Sequence, residues 1–300
     1  MMSSRAAVVG QPISHSLSPL LHRTAYRGLG LDWHYDAREL AAGQLGAFVR
    51  QLDDDWVGLS VTMPLKPEAV AVADAVDPLA AALGVANTLV RLPSGVLTAF
   101  NTDVGGIAAA LREVAGEDWR PQRSLLLGNR ATACSTMAAL GELGCTHHSV
   151  VARRHGGPGS TALVAHALGV EHRPVLWRAT DAIAAAVAAA DVVVSTVPAG
   201  VADGLAPLLA AHRRPTAVLL DVVYHPWPSA LNAAWQAAGG TVVPGWLMLL
   251  HQAVAQVRLF TGREPGVAAM RQALRARLLG EPAAGRPVWE DAEHAVDDRR

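Results

Sequence analysis

Of the 25 basic side chains in this sequence, 24 are arginines and a single one is a lysine, Lys66. Arginine keeps its proton at any working pH whereas lysine can give it up, so the lone lysine is the candidate for proton transfer. It closes the segment Ser60-Val61-Thr62-Met63-Pro64-Leu65-Lys66, where an apolar strand ends and brings Thr62 and Lys66 to one rim. A carboxylate stands in Asn101-Thr102-Asp103-Val104-Gly105-Gly106, and an amide in Ala86-Asn87-Thr88. An ammonium beside a carboxylate can stabilise and protonate an oxygen on which negative charge develops. The plainer reading of Asp103 is a cap for the helix that follows it.

Two further segments mix small polar residues with proline or glycine at element ends. Gly10-Gln11-Pro12-Ile13-Ser14-His15-Ser16-Leu17-Ser18-Pro19 offers the hydroxyls of Ser16 and Ser18 to a carboxylate, although serine followed by proline is also an ordinary helix start. Gly245-Trp246-Leu247-Met248-Leu249-Leu250-His251-Gln252-Ala253 sets Gln252 among apolar neighbours, where an amide needs a partner.

The elements that must carry these groups follow from periodicity. Strands at 6–9, 32–35 and 56–61, a helix at 19–28 ended by glycine, and a hairpin of 86–92 with 96–100 around Pro93-Ser94-Gly95 make a first α/β unit. From Ser124 onward strands at 124–127, 149–152, 174–177, 192–195 and 217–221 alternate with helices at 132–143, 161–168 and up to Ala190. That rhythm predicts a doubly wound parallel sheet of Rossmann-like type. Helices at 246–260 and 265–279 are expected to pack back onto the first unit. The expected division is thus a substrate domain, 1–102 completed by 246–280, and a nucleotide domain, 103–245. Residues 281–300 lack a periodic apolar face and read as a solvated tail.

Taken in order, the serine-leucine-serine-proline segment, the Val61-Thr62-Met63-Pro64-Leu65-Lys66 strand end, Asn101-Thr102-Asp103 and Gly245-Trp246-Leu247-Met248-Leu249-Leu250-His251-Gln252 resemble the shikimate dehydrogenase family. The resemblance runs from about Val8 to Leu278. It implies a reversible NADP-linked reduction of 3-dehydroshikimate to shikimate, a step of aromatic amino-acid biosynthesis. By the same resemblance Lys66 and Asp103 are the catalytic pair. Ser16, Ser18 and Tyr224 would hold the substrate carboxylate, and Thr62, Asn87, Asp103 and Gln252 the ring hydroxyls. Val222 and Gly245 are expected near the nicotinamide. A quinate or aminoshikimate dehydrogenase is the alternative within enzymes.

The sequence departs from the family pattern in the nucleotide loop, Leu127-Gly128-Asn129-Arg130-Ala131-Thr132-Ala133. Gly128 keeps the first glycine position, Arg130 takes the second and Ala133 the third. A side chain at the second position stands where backbone normally approaches a pyrophosphate, yet the arginine fork also suits a phosphate. Gly128, Asn129, Arg130 and Ala131 are therefore expected at the cofactor. If Arg130 obstructs it, the chain is instead a shikimate-binding protein with weakened cofactor binding. Arg153 and Arg154 follow a strand, and no acidic residue lies between Glu142 and Glu171, so NADP is favoured over NAD. Ser60 replaces an asparagine common in the family.

Composition bounds the rest. Hydrophobic residues make up 51% and charged residues 17% of 300, the makeup of a globular chain. A net charge of −1 offers no footprint for nucleic acid or an anionic membrane, which leaves a small molecule as the expected partner of a monomer or homodimer. Two cysteines cannot build a disulfide framework and no leader segment is apparent, so the expected setting is the cytoplasm. No metal site is expected: Cys145, His147 and His148 cluster without a second half and read as the start of a strand.

Overall fold

A computed structural model describes residues 4–280. It is an α/β fold of two domains, each built on a six-stranded sheet. The stretch 281–300, read above as a tail, lies outside the described residues.

The first domain contains β1 (Arg5–Gly10), α1 (Ser18–Gly28), β2 (His34–Glu39), α2 (Leu45–Val49), β3 (Trp56–Val61), α3 (Lys66–Val72), β4 (Ala75–Val76), α4 (Pro78–Leu83), β5 (Thr88–Arg91) and β6 (Leu97–Phe100). Its sheet runs β2-β1-β3-β5-β6-β4. β1 is parallel to β2 and β3, and β5 is antiparallel to β3 and to its hairpin partner β6. The helix α5 (Asp103–Ala115) leads into the second domain, made of β7 (Arg123–Leu127), α6 (Ala131–Glu142), β8 (His147–Ala152), α7 (Thr161–Leu168), β9 (Glu171–Leu176), α8 (Thr180–Ala189), β10 (Val192–Ser195), α9 (Ala206–His212), β11 (Val218–Asp221), α10 (Ala230–Ala237) and β12 (Thr241–Pro244). Then α11 (Gly245–Thr261) and α12 (Val267–Leu279) return to the first domain, where both pack on α1.

The second sheet is wholly parallel in the order β12-β11-β10-β7-β8-β9, the doubly wound arrangement. Its central strands β7, β10 and β11 carry apolar runs because both faces are covered: Leu125, Leu127, Val193 and Leu219 face one core, Leu126, Val192 and Leu220 the other. The strand order reverses between β7 and β10, and a ligand crevice is expected at the carboxyl ends there. Gly128 follows β7 at φ +114°, with its absent Cβ 2.3 Å from Thr196 Oγ1 beyond β10. Only glycine fits that bend.

Two element expectations need correction. The strand placed at 32–35 is β2, His34–Glu39, because its register is set by pairing with β1 from Arg5↔His34 to Gly10↔Glu39. Its second half, Asp36 to Glu39, is polar and largely exposed, which hid it from a search for apolar runs. The strand placed at 174–177 is β9, Glu171–Leu176, its register set by β8 from His147↔Glu171 to Ala152↔Leu176, whereas α1 ends at Gly28 as expected. Among the described residues no helix is long and apolar enough to cross a membrane.

Candidate active site

A cleft of about 250 Å³ lies between the domains. The first domain lines it with Ser16, Ser18, Thr62, Lys66 and Asn87, the second with Val222 and Tyr224, and the connecting helices with Asp103, Gly245 and Gln252. Ten positions picked out from the sequence motifs or from the family resemblance thus line one space.

Local structure explains how each arrives. Lys66 opens α3, with Pro67 as its neighbour at the helix start. Its Nζ donates to Asp103 Oδ2 at 2.6 Å and, more weakly, to Thr132 Oγ1 at 3.5 Å. Asp103 is not the cap of α5. The side chain of Asn101 takes that duty, its Oδ1 accepting from the amides of Asp103 at 3.1 Å and Val104 at 3.4 Å. The Asp103 carboxylate is thereby left for Lys66 and for Asn87 Nδ2, which donates to Oδ1 at 2.8 Å. Asn87 is itself locked, since its Oδ1 accepts from the Thr102 amide and from Thr88 Oγ1. Lys66 and Asp103 are nearly buried, so the ion pair acts at low dielectric.

Ser18 is likewise no N-cap. The cap position is Leu17, and the Ser18 amide donates to Ser16 Oγ at 3.3 Å. The Tyr224 phenol, from the second domain, lines the same cleft as Ser16 and Ser18, and burial raises its pKa, partly offset by the Leu17 amide. Gly10 admits Thr62, since a Cβ there would lie 2.4 Å from Thr62 Cγ2.

Two cleft residues, Gln256 and Thr132, were not assigned to the substrate site from the sequence, and Ser60 was noted only as a departure from the family pattern. Gln256, one helical turn beyond Gln252, accepts at Oε1 from Ser60 Oγ at 2.7 Å and donates through Nε2 to Asn87 O and Thr88 Oγ1. Ser60 in turn accepts from Tyr35 Oη at 2.6 Å. Thr132 reaches in from the first turn of α6. The only signal for Gln256 was a second amide at i+4 on an apolar helix face.

The expected nucleotide-loop residues lie apart from this cleft lining, around the carboxyl ends of β7 and β8. The Asn129 side chain is spent inside the fold: Nδ2 donates to Arg154 O at 2.8 Å and Oδ1 accepts from the Thr161 amide at 2.9 Å. Only its backbone remains for a ligand. Arg130 stands before Ala131 with φ −126°, a conformation open to any residue, and donates to Pro158 O at 3.2 Å. Arg153 and Arg154 are exposed at the end of β8. Gly245 is pressed on β11, where a Cβ would sit 2.4 Å from Asp221 O. Cys145 is buried just ahead of β8, which begins at His147 as read above.

Family models for the shikimate dehydrogenase substrate-binding domain and the shikimate 5′-dehydrogenase C-terminal domain match residues 8–89 and 245–275. A shikimate dehydrogenase (NADP(+)) of Moorella thermoacetica is 35% identical over 93% of this chain and 96% of its own length. The crystal structure of Mycobacterium tuberculosis shikimate dehydrogenase is 45% identical, covers 91% of this chain and 99% of that one, and superposes with a TM-score of 0.81. A Thermus thermophilus shikimate 5-dehydrogenase in complex with NADP(H) and shikimate is 30% identical, with 91% and 98% covered and a TM-score of 0.78. A quinate dehydrogenase of Corynebacterium glutamicum in complex with NAD is 28% identical, with 91% and 99% covered and a TM-score of 0.81. With its cleft, its two sheets and these relatives agreeing, the chain belongs to the shikimate dehydrogenase family of oxidoreductases.

Proposed function

We propose that this chain is an NADP-dependent shikimate dehydrogenase that interconverts 3-dehydroshikimate and shikimate in the cytoplasm, for aromatic amino-acid biosynthesis. The observation that carries the reading is the Lys66–Asp103 pair, 2.6 Å apart at the wall of a cleft rich in neutral hydroxyls and amides. We assign substrate binding to residues 1–102 with 246–280, and the dinucleotide to 103–245.

The residues present fit a dinucleotide. Gly128 bends at φ +114° where a Cβ has no room, the first-turn amides of α6 lack partners within the helix, and Arg153 and Arg154 stand exposed beside them. Gly128, Ala131 and the backbone of Asn129 would hold the pyrophosphate, Arg130 would reach it by turning from Pro158, and Arg153 and Arg154 would take the 2′-phosphate. Val222 and Gly245 would flank the nicotinamide. When bound, the cofactor supplies or accepts the hydride.

The chain's own part is to hold the substrate and move a proton. The Lys66 ammonium stabilises charge developing on the substrate oxygen and protonates it, and takes the proton back in the reverse direction. Asp103 fixes the ammonium. Ser16, Ser18 and Tyr224 donate to the carboxylate; Thr62, Asn87 and Gln252 meet ring hydroxyls, and a flat aromatic acid without those hydroxyls would leave these three side chains unpaired.

The extended backbone of Arg130 and its turn toward Pro158 count against a blocked loop. The similarity to a quinate dehydrogenase keeps quinate as the second substrate to test. A spectrophotometric assay of shikimate, quinate and aminoshikimate, each with NADP and with NAD, should give the highest kcat/KM for shikimate with NADP. Turnover confined to quinate, or ligand binding without turnover, overturns the reading.

A further inference from the structure

Lys66 and Asp103 are both held from α6, the helix whose start faces the dinucleotide site. Thr132 meets the Lys66 ammonium at 3.5 Å. Ser135, three residues on and therefore on the same face of α6, is fully buried and accepts from Asn101 Nδ2 at 3.0 Å. Asn101 is also the residue whose Oδ1 caps α5 at the amide of Asp103. One face of α6 thus meets the lysine directly and the aspartate through its helix start, while the first turn of the same helix, which has no side-chain cap, opens where the phosphates are expected.

We propose that Thr132 and Ser135 are positioning residues that couple dinucleotide binding to the placement of the Lys66–Asp103 pair. The inference rests on the dehydrogenase reading above. A phosphate drawn to the first turn of α6 settles that helix against the pair, and the pair so placed is the one that receives substrate. By linkage each ligand then tightens the other. The cleft residues on the first domain need not touch the nucleotide for this to happen.

The single lysine makes the coupling directly observable. In protein carrying isotope-labelled lysine, Lys66 gives the only side-chain lysine resonance. The probe is 2′-phospho-ADP-ribose, which lacks the nicotinamide and allows no turnover. It should shift that resonance in the wild type and in Thr132→Ser, which keeps the hydroxyl, and leave it in place in the nearly isosteric Thr132→Val. By calorimetry the probe should tighten shikimate binding roughly 5- to 20-fold in the wild type and Thr132→Ser, and by less than about twofold in Thr132→Val. Ser135→Ala should lose the same coupling, and equal melting temperatures exclude a folding defect. Thr132→Val that retains both the shift and the tightening overturns the coupling alone. A wild type that binds neither probe nor shikimate overturns the dehydrogenase reading, and the coupling with it.

Discussion

The Lys66 ammonium donates to the Asp103 carboxylate across 2.6 Å although 37 positions separate them, one at the head of α3 and the other at the head of α5. Removing the amine leaves the carboxylate and every hydroxyl donor in place. Lys66→Ala should therefore lower kcat by at least ~10²-fold, as a lost general acid does, with little change in shikimate KM. Initial rates followed by NADPH absorbance check this, and near-normal turnover would refute the role.

Arg153 and Arg154 are the exposed cations at the end of β8. Arg153→Ala/Arg154→Ala should weaken NADP binding by roughly 10- to 100-fold, the worth of a lost charge-assisted phosphate contact, and leave NAD binding unchanged. Fluorescence titration of both cofactors reads the difference. Equal losses for NADP and NAD would show that these arginines do not read the 2′-phosphate.

His22 is wholly buried, stacked on Tyr35 with ring centroids 4.0 Å apart and placed 3.2 Å from Gln256 Oε1. Burial pushes its pKa down to about 3, slightly offset by Gln256. In the unfolded chain it titrates near ~6.5, so between those values the unfolded state binds the extra proton. Stability is accordingly complete above the unfolded value and falls with acidification toward the folded one, by up to about 1.4 kcal/mol per pH unit for this group. Burial lowers His148 and His172 as well, so His22→Gln should reduce, not abolish, the loss of melting temperature between about pH 6.5 and pH 5. An unchanged slope would mean that His22 is protonated in the fold.

Gly106 lies where α5 crosses α11. A Cβ there would stand 2.9 Å from Gln252 Cβ and 3.1 Å from Met248 O, so Gly106→Ala must push the helices apart. The expected cost is about 1–3 kcal/mol, together with a several-fold rise in shikimate KM because Gln252 moves. Its neighbour is the control: a Cβ on Gly105 meets nothing within 4 Å. Gly105→Ala should be neutral or stabilising by up to about 1 kcal/mol. Thermal melts and KM values of the two variants should diverge.

Much of this site was legible because it sits at element ends, where a strand or helix stops and small polar residues gather. Lys66 stood out for a different reason, the near-exclusive use of arginine elsewhere. What stayed hidden was pairing between distant segments. Gln256 looks like any amide on an apolar helix until Ser60, 196 positions away, is brought to it. Asn129 reads as a cofactor contact in a nucleotide loop, yet Thr161 and Arg154 claim its side chain. The polar half of β2 follows no apolar alternation; its place is dictated by the strand beside it.

The chain passes between its domains twice, just before Asp103 and just before Gly245, and both passages open directly into helices that lie against each other through Gly106 and Gln252. A body suspended from one such passage could swivel in any direction. Two abutting rods at the crossings brace that body more firmly than one strand of chain would, and Asp103 and Gln252, which both line the cleft, are carried on the brace itself.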